Sequence, residues 1–229
     1  MSVRATLLFK GIRNIVGNSA HLLKIYNHLF ERFGPQRWWP GETPFEVVVG
    51  AILAQNTNWG NVEKAITNLK KANMLSPEKL YEINVQKLAN LIRPSGFFNM
   101  KARRLKTFMI WFFNQYQGDI NRMISQDVQT LRRELLSLTG IGPETADSIL
   151  LYAANKPTFV VDAYTHRIFS RHGLIPEEST YDEIKAFFED GLPQDAAIYN
   201  EYHALLVKLG KNYCKPKMNC DGCPARDIF

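Results

Sequence analysis

Apolar residues recur every three or four positions along most of the chain, the spacing that lines one face of an amphipathic helix. The clearest runs are Leu22, Leu23, Tyr26, Leu29 and Phe30; Phe45, Val48, Val49, Ile52 and Leu53; and Leu105, Phe108, Met109, Trp111 and Phe112. Alternation of apolar and polar residues, which is typical of half-buried strands, is scarce. The pattern therefore predicts an all-α protein.

Helix-breaking residues divide this pattern into about ten predicted helices. The breakers are Gly34-Pro35, Pro40-Gly41, Ser76-Pro77, Pro94-Ser95-Gly96, Gly140 to Pro143, Pro157, Gly173 to Pro176 and Gly191 to Pro193. At Thr43-Pro44 and Ser76-Pro77, a residue that can cap a helix precedes a proline suited to the first turn. Helices are therefore predicted to begin at both places. With 229 residues, the chain has room for one large domain or two smaller ones.

The chain carries 28 Lys and Arg residues against 22 Asp and Glu, a formal charge of +6. This excess and the isoelectric point near 9.2 favour an anionic partner, with nucleic acid as the leading candidate. The sequence contains no apolar run of about 18 residues and no N-terminal signal segment. We therefore expect no membrane association and a cytoplasmic location.

A glycine-containing turn, Leu138-Thr139-Gly140-Ile141-Gly142, joins a predicted helix ending near Ser137 to one starting near Pro143. Two glycines let a phosphate approach the backbone amides, and the start of a helix favours an anion. Such a hairpin can grip a DNA backbone without reading bases. The alternative is an ordinary turn between two helices.

Asp162 ends the apolar run Val160-Val161 and precedes a helix predicted to start near Ala163. It can cap that helix. It can also remain ionised in a cleft and stabilise positive charge on a substrate. The two roles are compatible.

The segments "LTGIGPETADSIL" and "FVVDAYTHRIFSRHGL" together resemble the helix-hairpin-helix and catalytic aspartate of the endonuclease III superfamily of DNA glycosylases. The segments "AILAQNTNWGNV" and "RPSGFFNMKARRLK" resemble two further regions of that superfamily, in the same order. The resemblance implies two helical domains, residues 45–155 with the hairpin and residues 1–44 plus 156–229, and an active-site cleft between them. It also implies a monomer that acts on damaged double-stranded DNA at the nucleoid.

The resemblance assigns roles to individual residues. Asp162 would be catalytic, and Gln55 would enter the gap left by a nucleotide flipped out of the duplex. Further DNA contacts are expected from Asn56, Gly140, Ile141, Gly142, Thr145, Lys101 and Arg103. Bifunctional members have a lysine in the second helix of the motif that attacks the deoxyribose, whereas this chain has Glu144 there. A carboxylate cannot form an imine, so lyase activity should be weak or absent.

The sequence "RWWP", followed by "QNTNW", most resembles the 3-methyladenine DNA glycosylase III branch. The base pocket implied by this resemblance consists of Trp38, Trp39, Pro40, Trp59 and Glu144. An alkylated purine is cationic, and indole faces attract cations. We therefore expect a monofunctional glycosylase for alkylated purines. The alternatives are a related glycosylase for oxidised or mismatched bases, and a DNA-binding protein without catalytic activity.

The three cysteines are close together, with the spacing Cys214-x5-Cys220-x2-Cys223. This spacing resembles the superfamily's four-cysteine loop for a [4Fe-4S] cluster, but Phe229 stands at the position of the fourth cysteine. A cluster normally takes four thiolates. Three interpretations remain open: a loop without metal, a three-cysteine cluster with an outside ligand, or a zinc site completed by a histidine.

Overall fold

The computed structural model describes residues 19–217 and 220–229, which form helices joined by turns. The helices are α1 (19–33), α2 (Pro44–Leu53), α3 (Trp59–Lys71), α4 (Pro77–Glu82), α5 (Val85–Leu91), α6 (Phe98–Tyr116), α7 (Ile120–Ile124), α8 (Val128–Leu136), α9 (Pro143–Ser148), α10 (Ala163–Arg171), α11 (Tyr181–Gly191) and α12 (Ala196–Asn212). A 3-10 turn covers Arg93–Ser95, and a π-helical turn, Ile149–Ala153, continues α9. These ranges contain no strand, so the predicted all-α class is confirmed.

The chain divides into two compact units. The central unit is Trp39–Lys156, and the terminal unit combines Met1–Trp38 with Pro157–Phe229. The first boundary therefore falls at residue 39 rather than at the predicted 45. The reason is that the ring of Trp39 packs against those of Trp59 and Tyr152, both in the central unit.

Helix α2 forms the middle of the central unit. It contacts α3, α6, α9 and the π-helical turn, and every residue from Phe45 to Leu53 is buried. Its first turn is fixed as the sequence predicts: Thr43 accepts a hydrogen bond from the Glu46 N–H, and Pro44 follows. Ser76 caps α4 in the same way, through the Lys79 N–H.

The terminal unit has an aromatic core. The rings of Phe159 and Phe188 stack with their centroids 4.0 Å apart, and Tyr199 and Tyr202 meet Phe159 edge-on. Helices α10 and α12 pack closely here. They can do so because Gly210 has no side chain. A Cβ at this position would lie 2.3–2.8 Å from atoms of Tyr164, which is too close.

The structure has more helices than the sequence pattern predicts, because some turns contain neither glycine nor proline. Between α4 and α5, for example, the side chain of Asn84 accepts the Gln86 N–H and starts a new helix. No helix in the described ranges is both long and apolar enough to cross a membrane.

Candidate functional site

The hairpin in the central unit has the predicted boundaries, since α8 ends at Leu136 and α9 begins at Pro143. Gly140 has a φ of +91°, a conformation that favours glycine. The side chain of Ile141 is buried, whereas Gly142 is exposed with open space around its α-carbon. Any contact from Ile141 to DNA would therefore have to use its backbone.

Gln55 attaches the loop after α2 to this hairpin. Its amide nitrogen donates to the Gly140 carbonyl at 3.0 Å and to Oγ1 of Thr145 at 2.9 Å, and its amide oxygen accepts from Arg104. Thr145 is buried beneath this contact. The Thr145 hydroxyl faces Gln55 in this structure, so a DNA contact from this side chain would require Gln55 to move. The neighbouring Asn56 is exposed, with a φ of 51°.

The basic segment at the start of α6 does not form one exposed surface. The side chain of Lys101 is 0% exposed, and its ammonium group donates to the carbonyls of Leu53 (2.9 Å) and Ser95 (2.6 Å). Burial, together with the charge of Arg104, lowers the pKa of Lys101 to about 8. The expectation that Lys101 meets phosphate is therefore wrong. Arg103, the adjacent residue, is exposed.

Phe97, just before α6, is an exposed aromatic residue that the sequence analysis did not select. It is 64% exposed and has a left-handed φ of 45°. A bulky residue in this conformation is uncommon. Because the phenylalanine ring is exposed, it contributes little hydrophobic stabilisation to the fold. Both features point to a role outside folding.

The aromatic residues predicted to form the base pocket are divided between the units. In the central unit, Trp39 meets Trp59 edge-on and lies against Tyr152, with both pairs of ring centroids 4.9 Å apart. A Cβ at Gly50 would lie 3.3 Å from Nε1 of Trp39, so a glycine leaves room for this indole. Trp38 belongs to the terminal unit, where the Lys211 ammonium group lies 5.9 Å from its ring centroid.

A cavity of about 200 Å³ adjoins this aromatic cluster in the central unit, and Trp39, Pro40 and Trp59 are among the residues that line it. Its rim is charged. The Lys70 ammonium group lies 2.9 Å from a carboxylate oxygen of Glu42 and 3.0 Å from one of Glu46. Glu144, the remaining residue predicted for the pocket, is exposed in the first turn of α9.

Asp162, in the terminal unit, caps α10 as predicted. Its Oδ1 accepts from the N–H (2.8 Å) and the hydroxyl (3.0 Å) of Thr165, and its Oδ2 lies 3.6 Å from Nε2 of His203. Burial alone would raise the pKa of Asp162. The interactions with His203 and Thr165 outweigh burial and hold that pKa below its usual range, so the carboxylate is ionised.

The cysteine-containing segment lies against α10 and α12 in the terminal unit. Cys214, Cys220 and Cys223 line one cavity of about 190 Å³, together with His172. The ring of Phe229 stacks on the imidazole of His172, with the centroids 4.2 Å apart. Across the described ranges, no group of three or more His, Cys, Asp or Glu is arranged to hold a metal ion. With Phe229 at the position of the fourth cysteine, the three thiols are one fewer than the four thiolates that a [4Fe-4S] cluster normally takes.

Hydrogen bonds from protein side chains hold the backbone of this segment. Arg171 donates to the carbonyls of Lys215 and Pro216, both at 2.6 Å, and Arg167 donates to that of Cys214 at 2.8 Å. A ring nitrogen of His28 lies 2.7 Å from the Pro224 carbonyl. These hydrogen bonds attach the segment to α1 and α10.

Residues 49–194 match the model of the HhH-GPD superfamily of base excision DNA repair proteins. The chain belongs to this superfamily. It is 52% identical over 209 residues to a candidate DNA repair glycosylase of Methanocaldococcus jannaschii, covering 90% of this chain and 94% of that one. Endonuclease III of Thermotoga maritima is 29% identical over 181 residues, 79% of each chain. The protein is therefore a DNA glycosylase of base excision repair.

Two solved structures extend the comparison. The 3-methyladenine DNA glycosylase of H. pylori, bound to 1,N6-ethenoadenine, has a TM-score of 0.73 and 32% identity, and the match covers 85% of this chain and 97% of that one. An endonuclease III trapped in a covalent intermediate with DNA has a TM-score of 0.77 and 21% identity, covering 90% and 92%. The second likeness shows the fold alone.

Proposed function

We propose that the protein is a monofunctional DNA glycosylase that hydrolyses the N-glycosidic bond of alkylated purines in duplex DNA. Water is the nucleophile, and the products are a free base and an abasic site. The observation that carries this proposal is the ionised Asp162 carboxylate, fixed at the start of α10 by Thr165 and His203. The likeness to the H. pylori enzyme, whose name specifies 3-methyladenine, supports the choice of base.

Asp162 acts on the sugar. As the glycosidic bond breaks, positive charge develops on the deoxyribose, and a fixed carboxylate stabilises that charge more strongly than mobile water does. Thr165 holds Oδ1. In this proposal Oδ2 faces the cationic sugar and orients the attacking water.

Glu144 supports hydrolysis rather than strand cleavage. A lyase of this superfamily needs an amine at this position to form an imine with C1′, and a carboxylate cannot form one. The strand therefore stays intact until the abasic site is treated with alkali.

The tryptophans select the base. A glycosylase takes its target base out of the stack and holds it between flat surfaces. Indole faces attract a cationic ring, and Trp39 and Trp59 both line the cavity of the central unit, where they offer indole surface to such a base. An N-alkylated purine already carries positive charge and leaves readily, so a strong general acid is not required.

The hairpin and the loop after α2 bind the duplex. The backbone of Gly140 to Gly142 contacts phosphate, and Arg103 adds an exposed positive charge. Gln55 enters the gap left by the flipped nucleotide, which requires it to release Gly140, Thr145 and Arg104. The enzyme acts as a monomer at the nucleoid, and its chemistry requires no cofactor.

The test is a single-turnover assay on a methylated DNA duplex, with and without alkali. We expect free 3-methyladenine or 7-methylguanine, strand breaks only after alkali, and no complex trapped by borohydride. Release of thymine from a mismatch or of an oxidised pyrimidine, without release of methylated purines, would overturn the proposed specificity. Strand breaks without alkali, with a borohydride-trapped complex, would overturn the proposed mechanism.

A further inference from the structure

The side chain of Arg104 lies flat across Gly140 of the hairpin. A Cβ at Gly140 would lie 2.5 Å from Nε of Arg104 and 2.7 Å from both Cδ and Cγ. Position 140 therefore needs glycine twice, for its positive φ and for this close approach. The contact places a guanidinium group beside the turn of the hairpin.

Gln55 fixes that guanidinium group. Its amide oxygen accepts from Nη1 of Arg104, while both amide hydrogens are used by Gly140 and Thr145. A primary amide has only two N–H donors, so Gln55 has none to spare. One side chain thus ties α6, the loop after α2 and the hairpin together.

The charge of Arg104 has no acidic partner among the described residues. Arg132, on the helix before the hairpin, differs, because it forms an ion pair with buried Asp147 at 2.8 Å. An arginine has five N–H donors, and Gln55 accepts from Nη1 alone. Arg104 therefore combines an unneutralised charge, unused N–H donors and a fixed orientation. These three properties favour binding of a phosphate group.

We propose that Arg104 binds a backbone phosphate of DNA at the hairpin, and that Gln55 is the positioning residue that holds its guanidinium group beside Gly140. This inference deepens the proposed function, because the phosphate belongs to the same DNA. On undamaged duplex no nucleotide has left the stack, so Gln55 keeps its place beside Arg104. Arg104 thereby takes the phosphate-binding role that buried Lys101 cannot perform.

The experiment measures binding of a short, fluorescently labelled, undamaged duplex over a series of salt concentrations. The variants are Arg104→Ala, Gln55→Ala, the double variant of these two, Arg103→Ala, and a control that combines Gln55→Ala with Arg103→Ala. We expect Arg104→Ala to weaken binding about tenfold, as loss of a charged hydrogen bond does. The slope of log K against log salt should fall by about one unit for one lost phosphate contact.

The double variant tests positioning. If Gln55 acts through Arg104, the double variant binds no more weakly than Arg104→Ala alone. Arg103→Ala is the matched control: this arginine is exposed on the same helix, so its loss should add to that of Gln55→Ala. Additive losses for Gln55 and Arg104, or an unchanged affinity and salt slope in Arg104→Ala, would overturn the proposal.

Two further measurements keep the outcome interpretable. Arg104→Gln keeps the Cγ methylene group beside Gly140 but removes the charge, so it replaces Arg104→Ala if that variant does not fold. Excision of methylated purines is assayed separately. A protein that binds plain duplex through Arg104 but releases no methylated purine would disprove the proposed function and leave this inference standing.

Discussion

Oδ2 of Asp162, at the start of α10, lies 3.6 Å from Nε2 of His203 on α12. The carboxylate is 12% exposed, and its other oxygen accepts two hydrogen bonds from Thr165. Burial works against ionisation, but these neighbours reverse its effect on the pKa. One side chain thus caps a helix and remains a fixed negative charge, and the proposed chemistry requires that charge.

Replacing Asp162 with Asn should separate the cap from the charge. The Asn side-chain oxygen can still accept from the Thr165 N–H, so we expect the melting temperature to change little. The excision rate should fall about 100-fold or more, because electrostatic stabilisation of the sugar cation is lost. Thr165→Ser, which keeps the hydroxyl, is the control and should retain activity. Unchanged excision by Asp162→Asn would refute the mechanism.

The pH profile should reveal the role of His203. The folded-state pKa of Asp162 lies below its usual range, so the carboxylate stabilises the fold above its unfolded pKa. This stabilisation is lost as pH falls through the lower, folded-state pKa. In His203→Gln, which removes the imidazole beside Oδ2, the pKa of Asp162 should rise, so the acid limb of the single-turnover rate should move to higher pH. An acid limb at the same pH in both proteins would show that His203 does not support the ionised carboxylate.

Phe97 should matter for excision and not for stability. Apolar side chains that insert between base steps help to open a duplex, and Phe97 is an exposed ring beside the basic start of α6. We expect Phe97→Ala to lower the excision rate about tenfold or more, since unstacking a base step costs a few kcal/mol. The matched control is Ile110→Ala, because Ile110 is 50% exposed further along α6. Equal effects of both substitutions would argue against insertion.

Lys101 should contribute to stability rather than to direct DNA contact. Its ammonium group satisfies the carbonyls of Leu53 and Ser95 in the interior. Lys101→Met leaves both without this donor and should destabilise the protein by about 1–3 kcal/mol in urea unfolding. Arg103→Met, one residue away and exposed, should change the free energy of unfolding little. A Lys101→Met protein as stable as the native one would contradict this.

The cysteine segment should keep its place without metal, because Arg171, Arg167 and His28 bind its backbone. We expect an iron chelator to leave the melting temperature unchanged, and Cys220→Ser to fold normally. Arg171→Ala should lower the melting temperature, since it removes donors to two carbonyls. Visible absorbance and iron in the purified protein, lost together with stability on chelation, would contradict the prediction.

Sequence reasoning succeeded where a feature depends on neighbours along the chain. The caps at Thr43, Ser76 and Asp162 and the ends of the hairpin all follow from residues within three or four positions. The burial of Lys101 could also have been predicted from the sequence. It lies four residues before Leu105 and seven before Phe108, on the buried face of α6, so the helical period outweighs the appearance of a basic run.

The sequence by itself determined the helical class, the family and the position of the proposed catalytic carboxylate, because these rest on local hydrogen bonding and on contiguous motifs. Only the tertiary structure decided which partners meet. Asp162 and His203 are 41 residues apart, since 203 − 162 = 41, and Gln55 and Gly140 are 85 apart. No local feature of the sequence brings residues so far apart along the chain into contact, because their contact depends on how whole helices pack. That packing keeps Asp162 ionised and places Arg104 across the hairpin.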